Sequence, residues 1–378
     1  MTNPARIRLL FIARSFPPTL GGMENLAYHL SESMRHQADV TMLVNRRGKK
    51  ALPIFLPYAF AAATYLARKK RTHAIHLADA LLAPLGVVLR RATGLPVTSS
   101  VHGLDVTYPN ALYQRIVPRA LARLDMTMPN SKATAEEVRA RTGEQASTTV
   151  IPLGINPLPE PNAAATRQFQ ALAATSPRQA VILTVGRLIQ RKGVAWFVQH
   201  VLPALPEHII HVVIGEGAEM AAIRAAAAAS RVSDRIRLLG RVPDDVLAAA
   251  YRCADIFVMP NIPVPGDIEG FGLVALEAAA SGLPVVASRL EGISEAVQHE
   301  RNGFLVTPLS VSEYMSTLED MIALPQEQLR AIGASFADYT NQHYGWDRTA
   351  ERYLSVIAGL INLEEERISQ SRSTLPAS

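Results

Sequence analysis

The sequence lacks several features that define whole classes of protein. Its 378 residues contain one cysteine, Cys253, so no internal disulfide can form, and this usage fits a reducing compartment. We interpret Cys253 as a small core residue and not as a nucleophile. No secretory signal precedes the first strand-like run, no Walker loop or Gly-x-Gly-x-x-Gly fingerprint occurs, and no His and Cys cluster suggests a metal site. These absences favour a cytoplasmic protein without a disulfide framework or a bound metal ion.

Charge is unevenly distributed along the chain, although the net charge is only +5. Residues 1–155 hold 20 Lys and Arg against 9 Asp and Glu, and the remainder holds 18 against 24. The basic first part indicates an anionic contact, which could be a phospholipid, a phosphorylated substrate or a nucleic acid. A nucleic acid is disfavoured because the chain lacks basic repeats interleaved with aromatic residues.

Strand-like and helix-like segments alternate, which is typical of parallel sheets covered by helices on both faces. The predicted strands are 7–13, 39–44, 73–78, 96–103, 124–130 and 148–156, followed by 179–187, 208–217, 235–242, 254–260 and 283–289. A Pro-rich stretch separates the two series, so we predict an α/β fold with two doubly wound domains and a cleft between them. The predicted parts are a domain over 1–156, a domain over 157–345, a helix over 346–367 and a disordered tail over 368–378.

One apolar segment, 51–67, has the composition of a membrane helix at the lower limit of length. Pro53 and Pro57 interrupt it, and basic residues on both flanks give it no preferred orientation, so we predict that it does not span a membrane. Two interpretations stay open. It is either a core helix packed on a sheet, or a helix that also lies against an anionic membrane surface through its basic flanks.

Three loops at predicted strand ends have residues suited to phosphate. Gly21 and Gly22 precede a helix, where backbone N–H groups attract anions, although by themselves they favour a plain turn. Arg187 and Lys192 follow the strand 179–187, where both could reach one diphosphate, and a solvated loop is the alternative. Gly215 lies in a glycine-rich turn at the same predicted sheet edge.

Two glutamates, Glu269 and Glu277, lie eight positions apart in "EGFGLVALE". A helix is predicted to begin near Phe271, so one carboxylate lies at its start and the other a little over two turns later. The N–H groups near Gly272 and Leu273 lie between them. An anion can therefore dock on the helix start while the two carboxylates accept hydrogen bonds from sugar and ribose hydroxyls.

Together these motifs resemble the retaining glycosyltransferases of family 4, the group 1 glycosyltransferases. The resemblance extends from "FPPTLGGMEN" through "VGRLIQRKG" and "EGFGLVALEAAASGLPVVAS" to "GWDRTAERYL". It implies the GT-B architecture, in which two Rossmann-like domains face each other across a cleft and the C-terminal helix crosses back to the first domain. The first domain would then bind the acceptor and the second the nucleotide sugar.

The resemblance also implies a role for each matching residue. Glu269 would lie by the donor sugar hydroxyls and the reacting centre, Glu277 would hold the ribose, and Arg187 and Lys192 would neutralise the diphosphate of the leaving group. His102 would be a catalytic residue near the donor sugar and the acceptor, although a histidine at a strand end often serves only as a hydrogen-bonded structural group. Asp105 would either orient His102 or cap a turn, and Gly21 would lie with both on the acceptor side. The remaining donor-binding positions would be Gly22, Gly215, Val242, Gly270, Phe271, Gly272 and Leu273, with the backbone around Arg241 and Val242 reading the base.

The implied reaction moves a hexose from GDP-mannose or a UDP-hexose to a glycolipid or polysaccharide acceptor of the cell surface. It would retain anomeric configuration by front-face attack, in which a donor phosphate oxygen takes the acceptor proton, and would need neither a cofactor nor a metal ion. The expected location is cytoplasmic, with peripheral attachment to the inner face of the membrane as a possibility. The alternative from a different class is a nucleotide-sugar epimerase or hydrolase on the same fold.

Overall fold

The computed structural model describes residues 6–18, 21–173 and 179–373. The chain separates into two compact units. Unit 1 contains the described residues up to Gly154 together with those from Trp346 onward, and unit 2 is Ile155–Gly345. The last helix, after the second series of strands, therefore belongs to the same unit as the first sheet.

Unit 1 is built on a five-stranded parallel sheet in the order β2-β1-β3-β4-β5. Its strands are β1 (Arg8–Ala13), β2 (Asp39–Val44), β3 (Ala74–Leu77), β4 (Val97–Val101) and β5 (Met126–Pro129). Its helices are α1 (Gly22–Gln37), α2 (Leu52–Arg68), α3 (Ala83–Thr93), α4 (Leu104–Thr107), α5 (Ala111–Leu121), α6 (Lys132–Thr142) and α15 (Trp346–Ser373).

The direction of the connections places the helices of unit 1 on two faces. The step from β1 to β2 runs toward one edge, and the later steps run toward the other, so right-handed crossovers put α1 on one face and α2, α3 and α5 on the opposite face. Accordingly α1 packs against α15, whereas α2 packs against α3 and α3 against α5. The inner sides of α2 and α3 bury Phe55, Ala59 and Leu89 in the core of unit 1, and α5 buries Leu121 in the same core.

Unit 2 is built on a six-stranded parallel sheet in the order β11-β10-β9-β6-β7-β8. Its strands are β6 (Ala180–Val185), β7 (Ile209–Ile214), β8 (Ile236–Gly240), β9 (Ile256–Met259), β10 (Val285–Ser288) and β11 (Phe304–Val306). Its helices are α7 (Ala163–Ala173), α8 (Val194–His200), α9 (Met220–Ala229), α10 (Asp244–Cys253), α11 (Leu273–Ala280), α12 (Ile293–Ala296), α13 (Val311–Ile322) and α14 (Gln326–His343). Apolar cores cover both faces of the sheet.

The alternating α/β pattern predicted from the sequence is confirmed, and three details differ. The stretch 148–156 forms only isolated bridges, with Thr148 beside Thr127 and Ile155 beside Gly345, because it links the units and has no continuous partner strand. The three-residue strand β11 was missed because it is too short to show alternation. The helix predicted to end at 367 continues to Ser373, so the predicted tail is helical over 368–373, and 374–378 lie outside the described residues.

The apolar segment 51–67 forms α2, preceded by a short 3-10 turn at Lys49–Ala51. Lys49–Arg68 is the stretch that is long and apolar enough to cross a membrane by length and composition, among the residues that the structure describes. Its inner side packs in the helix layer of unit 1, and its outer side is exposed, with Ile54 79% exposed and Tyr58 60% exposed. Cys253, at the end of α10, is half-buried and packs against the core of unit 2, where burial raises the pKa of its thiol.

Candidate active site

Polar residues of unit 2 converge where the strand order changes direction. The chain runs from β6 to β7 and β8 on one side, and β9 forms on the other side of β6, so the loops after β6 and β9 diverge from neighbouring strand ends. Such switch points are where open parallel sheets bind ligands. The amide of Ile262, after β9, donates to the carbonyl of Arg191, after β6, at 2.9 Å. This bond holds the two loops together at the predicted donor site.

The carboxylate of Glu269 is the centre of this cluster. Its Oε2 accepts from Lys192 Nζ at 2.6 Å, from Asn261 Nδ2 at 3.0 Å and from Arg191 Nε at 3.4 Å. Burial alone would raise the pKa of Glu269, but the cations of Lys192 and Arg191 lower it below its usual value. Glu269 is therefore an ionised, buried carboxylate in a ring of donors.

Arg191 ties the loop 261–270 to this cluster. Its side chain is buried, and besides contacting Glu269 it forms an ion pair from Nη1 to Asp267 Oδ1 at 2.7 Å. Asp267 precedes Glu269 by two residues, so one guanidinium fixes both carboxylates of the loop. The planar guanidinium of an arginine has several donors and can bind two carboxylates at once. The compact ammonium group of a lysine could not hold both in this geometry.

Two further polar groups complete the surroundings of Glu269. Glu291, half-buried after β10, accepts a hydrogen bond from the Glu269 amide, and burial raises the pKa of the Glu291 carboxyl. The side-chain oxygen Oδ1 of Asn261 is buried and has no hydrogen-bond partner among the described residues. A buried acceptor without a donor is costly, so this oxygen is suited to a ligand hydroxyl.

Glu277 lies in α11, and its carboxylate accepts from the hydroxyl of Tyr251 at 3.1 Å. Tyr251 comes from α10 and is fully buried. Burial raises the pKa of Glu277 to about 7, and the hydrogen bond from Tyr251 opposes that rise only in part. Helix α11 begins at Leu273, two residues later than the sequence suggested, because Gly272 adopts a left-handed conformation with φ 81°. Its first N–H groups have no acceptor within the helix.

Close backbone contacts explain two of the glycines here. A Cβ on Gly193, which has φ 65°, would collide with the carbonyl oxygen of Pro260 at the end of β9. A Cβ on Gly292 would collide with the carbonyl of Gly270, beside Glu269. Only glycine lets the backbones come this close. The loops after β6, β9 and β10 therefore touch because Gly193 and Gly292 have no side chains.

The other predicted donor-binding residues lie at the ends of the same sheet. Arg187 follows β6 with an exposed guanidinium that makes no hydrogen bond or ion pair with the described residues, so it is not part of the Glu269 cluster. Gly215 follows β7, and its amide donates to the Gly240 carbonyl at 2.8 Å. Val242 follows β8 half-buried against the core, whereas Arg241 is exposed. Phe271 is buried, with its ring 6.3 Å from that of Tyr344.

Unit 1 has a polar cluster at its own switch point, between β1 and β3. Arg14, after β1, forms an ion pair from Nε to Asp79 Oδ1, after β3, at 2.8 Å. Asp105 accepts from the amides of His102 at 2.8 Å and Ala80 at 3.1 Å, and burial, with Asp79 nearby, raises the pKa of Asp105. Asp105 thus holds the backbone at His102 through the amide, and its carboxylate makes no hydrogen bond or ion pair with the His102 imidazole among the described residues, although the two groups are close enough to interact electrostatically.

The imidazole of His102 has one nitrogen engaged and one free. Its Nε2 lies 3.1 Å from the carbonyl of Ala78, which can only accept, so Nε2 carries a proton. Its Nδ1 is buried with no hydrogen-bond partner in the described part of the chain. We assign the tautomer from this network. The free Nδ1 is available to a hydroxyl group of a substrate.

Gly21 and Gly22 lie at the start of α1, as predicted. Gly21 precedes the helix, and a Cβ there would collide with the carboxylate of Glu24, whose Oε1 accepts from Ser15. A Cβ on Gly22 would meet no atom within 4 Å, so the space over this helix start is open. The carboxylate of Glu24 lies in the first turn of α1, where the helix dipole would also favour a phosphate.

The residues that the sequence did not identify at this site are Arg191, Asn261, Glu291 and Tyr251. Arg191 stands next to Lys192 in "QRKG". Its burial and ion pairing depend on a 3-10 turn over Gln190–Lys192, which no sequence pattern predicts. Asn261 stands two residues after the end of β9, and a polar residue just beyond a buried strand was an available signal. Glu291 and Tyr251 lie far along the chain from the residues that they contact, and no sequence pattern identified them.

Two family models match the chain, one in each unit. The model described as Glycosyltransferase Family 4 matches residues 20–157, and the model described as Glycosyl transferases group 1 matches residues 179–323. The chain belongs to the group 1 glycosyltransferases of family 4. The enzyme class predicted from the Glu269 and Glu277 motif is thereby confirmed.

Curated and solved relatives of this glycosyltransferase extend over nearly its whole length. A GDP-mannose-dependent alpha-(1-6)-phosphatidylinositol monomannoside mannosyltransferase of Mycobacterium tuberculosis is 26% identical over 93% of this chain and 98% of its own. Among solved structures, sucrose-phosphate synthase from Thermosynechococcus elongatus superposes with a TM-score of 0.74 at 22% identity, covering 94% of this chain and 100% of that one. The structure of Anabaena HepE in complex with UDP superposes with a TM-score of 0.73 at 18% identity, and the match covers 93% of this chain and 100% of that one. These likenesses confirm the GT-B fold.

Proposed function

We propose that this glycosyltransferase transfers mannose from GDP-mannose, with retention of configuration, to a lipid-linked acceptor with a phosphoinositol-type head group. The observation that carries the proposal is the Lys192–Glu269 pair, 2.6 Å apart at the switch point of unit 2. It offers a cation to a diphosphate and a carboxylate to sugar hydroxyls at one sheet edge. The mannosyl donor and the acceptor class are supported by the relative that aligns over 93% of the chain.

The donor would be held by groups with complementary charge. Lys192 and the exposed guanidinium of Arg187 bind the diphosphate, and they stabilise the charge that develops as the nucleotide leaves. Oδ1 of Asn261 and the carboxylate of Glu269 accept hydrogen bonds from the mannose hydroxyls. Glu277 accepts from the ribose. In this account the two cations supply the charge that a metal ion would otherwise bring, so we expect activity without added metal.

Proton transfer follows from the same arrangement. Glu269 is held ionised by two cations, and a carboxylate so paired is a weak base. Front-face attack needs no protein base, because an oxygen of the leaving phosphate accepts the proton of the attacking hydroxyl. The free Nδ1 of His102 supports a hydrogen bond to a hydroxyl in unit 1. His102 would therefore position a substrate hydroxyl.

We also propose that the enzyme works at the cytoplasmic face of a membrane, attached peripherally through α2. Exposed Ile54, Tyr58 and Tyr65 on this helix lie between Arg46–Lys50 and Arg68–Arg71, which hold exposed cations. Such a helix binds an anionic interface. Sedimentation with anionic vesicles should occur at low salt and weaken as salt rises, whereas equal binding to neutral vesicles would contradict the proposal.

The donor is tested by thermal unfolding with GDP, UDP, ADP or NAD, each repeated with EDTA. A ligand at about 100 times its Kd adds roughly 2.7 kcal/mol to the free energy of unfolding. A shift with GDP that survives EDTA supports the proposal. A shift with UDP alone would favour a UDP-hexose donor, which the UDP complex of the HepE structure makes the second candidate. No shift with either nucleotide would reject the donor site.

The reaction is tested by incubating GDP-mannose with phosphatidylinositol-containing vesicles and determining the anomeric configuration of the product. Glu269→Gln should abolish transfer. Because it also leaves the cations of Lys192 and Arg191 without the buried carboxylate that they share, it should lower the free energy of unfolding by about 3 kcal/mol, so transfer is measured where circular dichroism shows the variant folded. Release of free mannose or an epimer without acceptor would instead favour the hydrolase or epimerase. Full transfer by both Glu269→Gln and Glu277→Gln would reject the assignment.

A further inference from the structure

The outer surface of unit 1 has a groove between α3 and α5, with a volume of about 460 Å³. One wall is apolar, formed by Val87 of α3 with Leu112 and Ile116 of α5. Three arginines line the groove, Arg115, Arg119 and Arg123. Neither family model nor relative assigns a role to it, and it lies on the helix layer and not at the sheet edge that holds His102.

The arginines follow one another at four-residue spacing, so α5 and the turn after it carry them on one side. All three are exposed, and none forms an ion pair with the described residues. Arg119 donates only to the carbonyl of Arg115, at 2.8 Å. No acid occurs between residues 111 and 123, and Asp125 just beyond is bound by Arg90 through two bonds of 2.6 Å.

Like charges at this spacing repel and destabilise a helix unless anions approach them. Three arginines without acidic partners therefore form a strip of uncompensated positive charge, which suits an anion. Guanidinium forks match both carboxylate and phosphate groups in bidentate geometry. The strip lies beside apolar side chains of unusual exposure, since Leu112 is 66% exposed and Ile116 is 44% exposed. A ligand that satisfies both halves of the groove has an anionic group attached to an apolar chain.

The neighbouring helices favour a membrane lipid over an acidic peptide. Helix α3 packs between α2 and α5, so the groove belongs to the same layer as the exposed Ile54 and Tyr58 of α2. Apart from its arginines the groove is lined by aliphatic side chains and a proline, so it offers no aromatic surface on which a nucleic acid base could stack. Apolar side chains rimmed by cations are the chemistry of a bilayer interface with anionic head groups.

We propose that this groove binds one anionic glycerophospholipid. The phosphate lies on Arg115, Arg119 and Arg123, and an acyl chain lies along Leu112 and Ile116. The site deepens the membrane association proposed above and is separate from the donor site of unit 2. Because α5 also carries Tyr113, whose hydroxyl donates to the carbonyl of Asp105, a lipid held here would lie on the helix that supports the acceptor side.

The test uses the full chain and dihexanoyl phosphatidylglycerol below its micelle concentration, measured by calorimetry without vesicles. Dihexanoyl phosphatidylcholine is the neutral probe, and glycerol 3-phosphate is the head group without chains. Replacing Arg115, Arg119 and Arg123 by Gln should weaken binding of the anionic lipid on the order of 100-fold, which corresponds to about 2.8 kcal/mol of binding free energy. Leu112→Gln with Ile116→Gln should also weaken it.

The matched control replaces Arg167, Arg224 and Arg330, exposed arginines of unit 2, by Gln and so changes net charge equally. Equal losses in the control and in the α5 variant would overturn the site, because charge alone would then explain binding. Binding of glycerol 3-phosphate or of a glutamate-rich peptide as tight as that of the lipid would also overturn it. A nucleotide-dependent thermal shift in the same sample keeps the two proposals distinct: lost lipid binding with an intact shift rejects the groove alone.

Discussion

At the scale of single residues, the donor site depends on charges that are buried and paired. Arg191 is 6% exposed in its side chain and holds Asp267 and Glu269, whereas Arg252 in the same unit forms an ion pair with Glu160 in which both side chains are exposed. Breaking a pair of each kind changes the free energy of unfolding by different amounts. Breaking a buried pair leaves a charge without compensation, whereas solvent replaces the partner of an exposed one.

We expect Arg191→Met to lower the free energy of unfolding of unit 2 by about 3 kcal/mol, because Glu269 then keeps one cation and the loop 261–270 loses its link to Asp267. Arg252→Met, the control, should cost about 0–1 kcal/mol. Urea unfolding of both variants measures the difference. Arg191→Lys should recover part of the stability, since it restores the charge without the fork. Equal effects of the two Met variants would contradict the structural role of Arg191.

Glu277 should make the stability of the ligand-free protein depend on pH. Its pKa is raised from about 4.5 to about 7 in the folded state, so the folded protein binds a proton more tightly than the unfolded chain. The stability that this proton contributes is full below pH 4.5 and is lost as pH rises to about 7, roughly 3 kcal/mol in all. Removing the carboxylic acid should remove this part of the pH dependence.

The measurement compares unfolding between pH 5 and 8 for the wild type and Glu277→Gln. The difference between the two curves should follow one titration, and Glu319→Gln, an exposed control on α13, should behave as the wild type. GDP should bind more tightly as pH rises through 7, because a ribose hydroxyl donates to the ionised carboxylate. Parallel pH curves for Glu277→Gln and the wild type would show that Glu277 keeps its usual pKa.

At the scale of elements, the site is assembled from loops that touch through their backbones. Gly193 has φ 65° and lies against the carbonyl of Pro260, so the loop that carries Lys192 meets the loop that carries Asn261. Gly282, after α11, has φ 78°, but a Cβ added there would lie 3.9 Å from its nearest neighbour, the guanidinium of Arg252. Both glycines therefore have a left-handed backbone that would strain any other residue, and they differ in how crowded their surroundings are.

Gly193→Ala should therefore cost several kcal/mol and abolish nucleotide binding, because it separates the two loops. Gly282→Ala should cost about 1 kcal/mol, which is the penalty of the left-handed conformation alone. Thermal unfolding with and without GDP reports both quantities for each variant. Normal GDP binding by the Gly193→Ala variant would show that the contact between the loops does not hold the site.

How much of this could be predicted from the sequence differs between elements and contacts. The strands β1, β6 and β7 are mostly apolar runs, so their positions follow from composition and length. Glu269 was identified from the spacing within "EGFGLVALE", and Lys192 from its place shortly after a predicted strand. Both of these signals are local in the sequence. The ion pair of Arg191 and the hydrogen bond from Tyr251 to Glu277 depend on which loops and helices become neighbours. No local pattern contains that information, because it comes from the strand order.

At the scale of the whole molecule, each unit contains its own sheet, its own core and one of the two tryptophans. Trp346 is buried in unit 1, where its ring stacks on His29 at 5.8 Å, and Trp196 lies in α8 of unit 2 with its ring 5.8 Å from that of Tyr314. Because α8 directly follows the loop that carries Lys192, its tryptophan reports on the unit that holds the predicted donor site.

Single-tryptophan variants should therefore separate the unfolding of the two units. In Trp346→Phe, fluorescence follows Trp196, and GDP at about 100 times its Kd should raise the free energy of unfolding by roughly 2.7 kcal/mol. In Trp196→Phe, fluorescence follows Trp346, and the same GDP concentration should shift its transition much less, since the predicted nucleotide contacts come from unit 2. Equal shifts from both reporters would contradict this prediction, because they would mean that the units unfold as one cooperative body and that donor binding stabilises the whole chain.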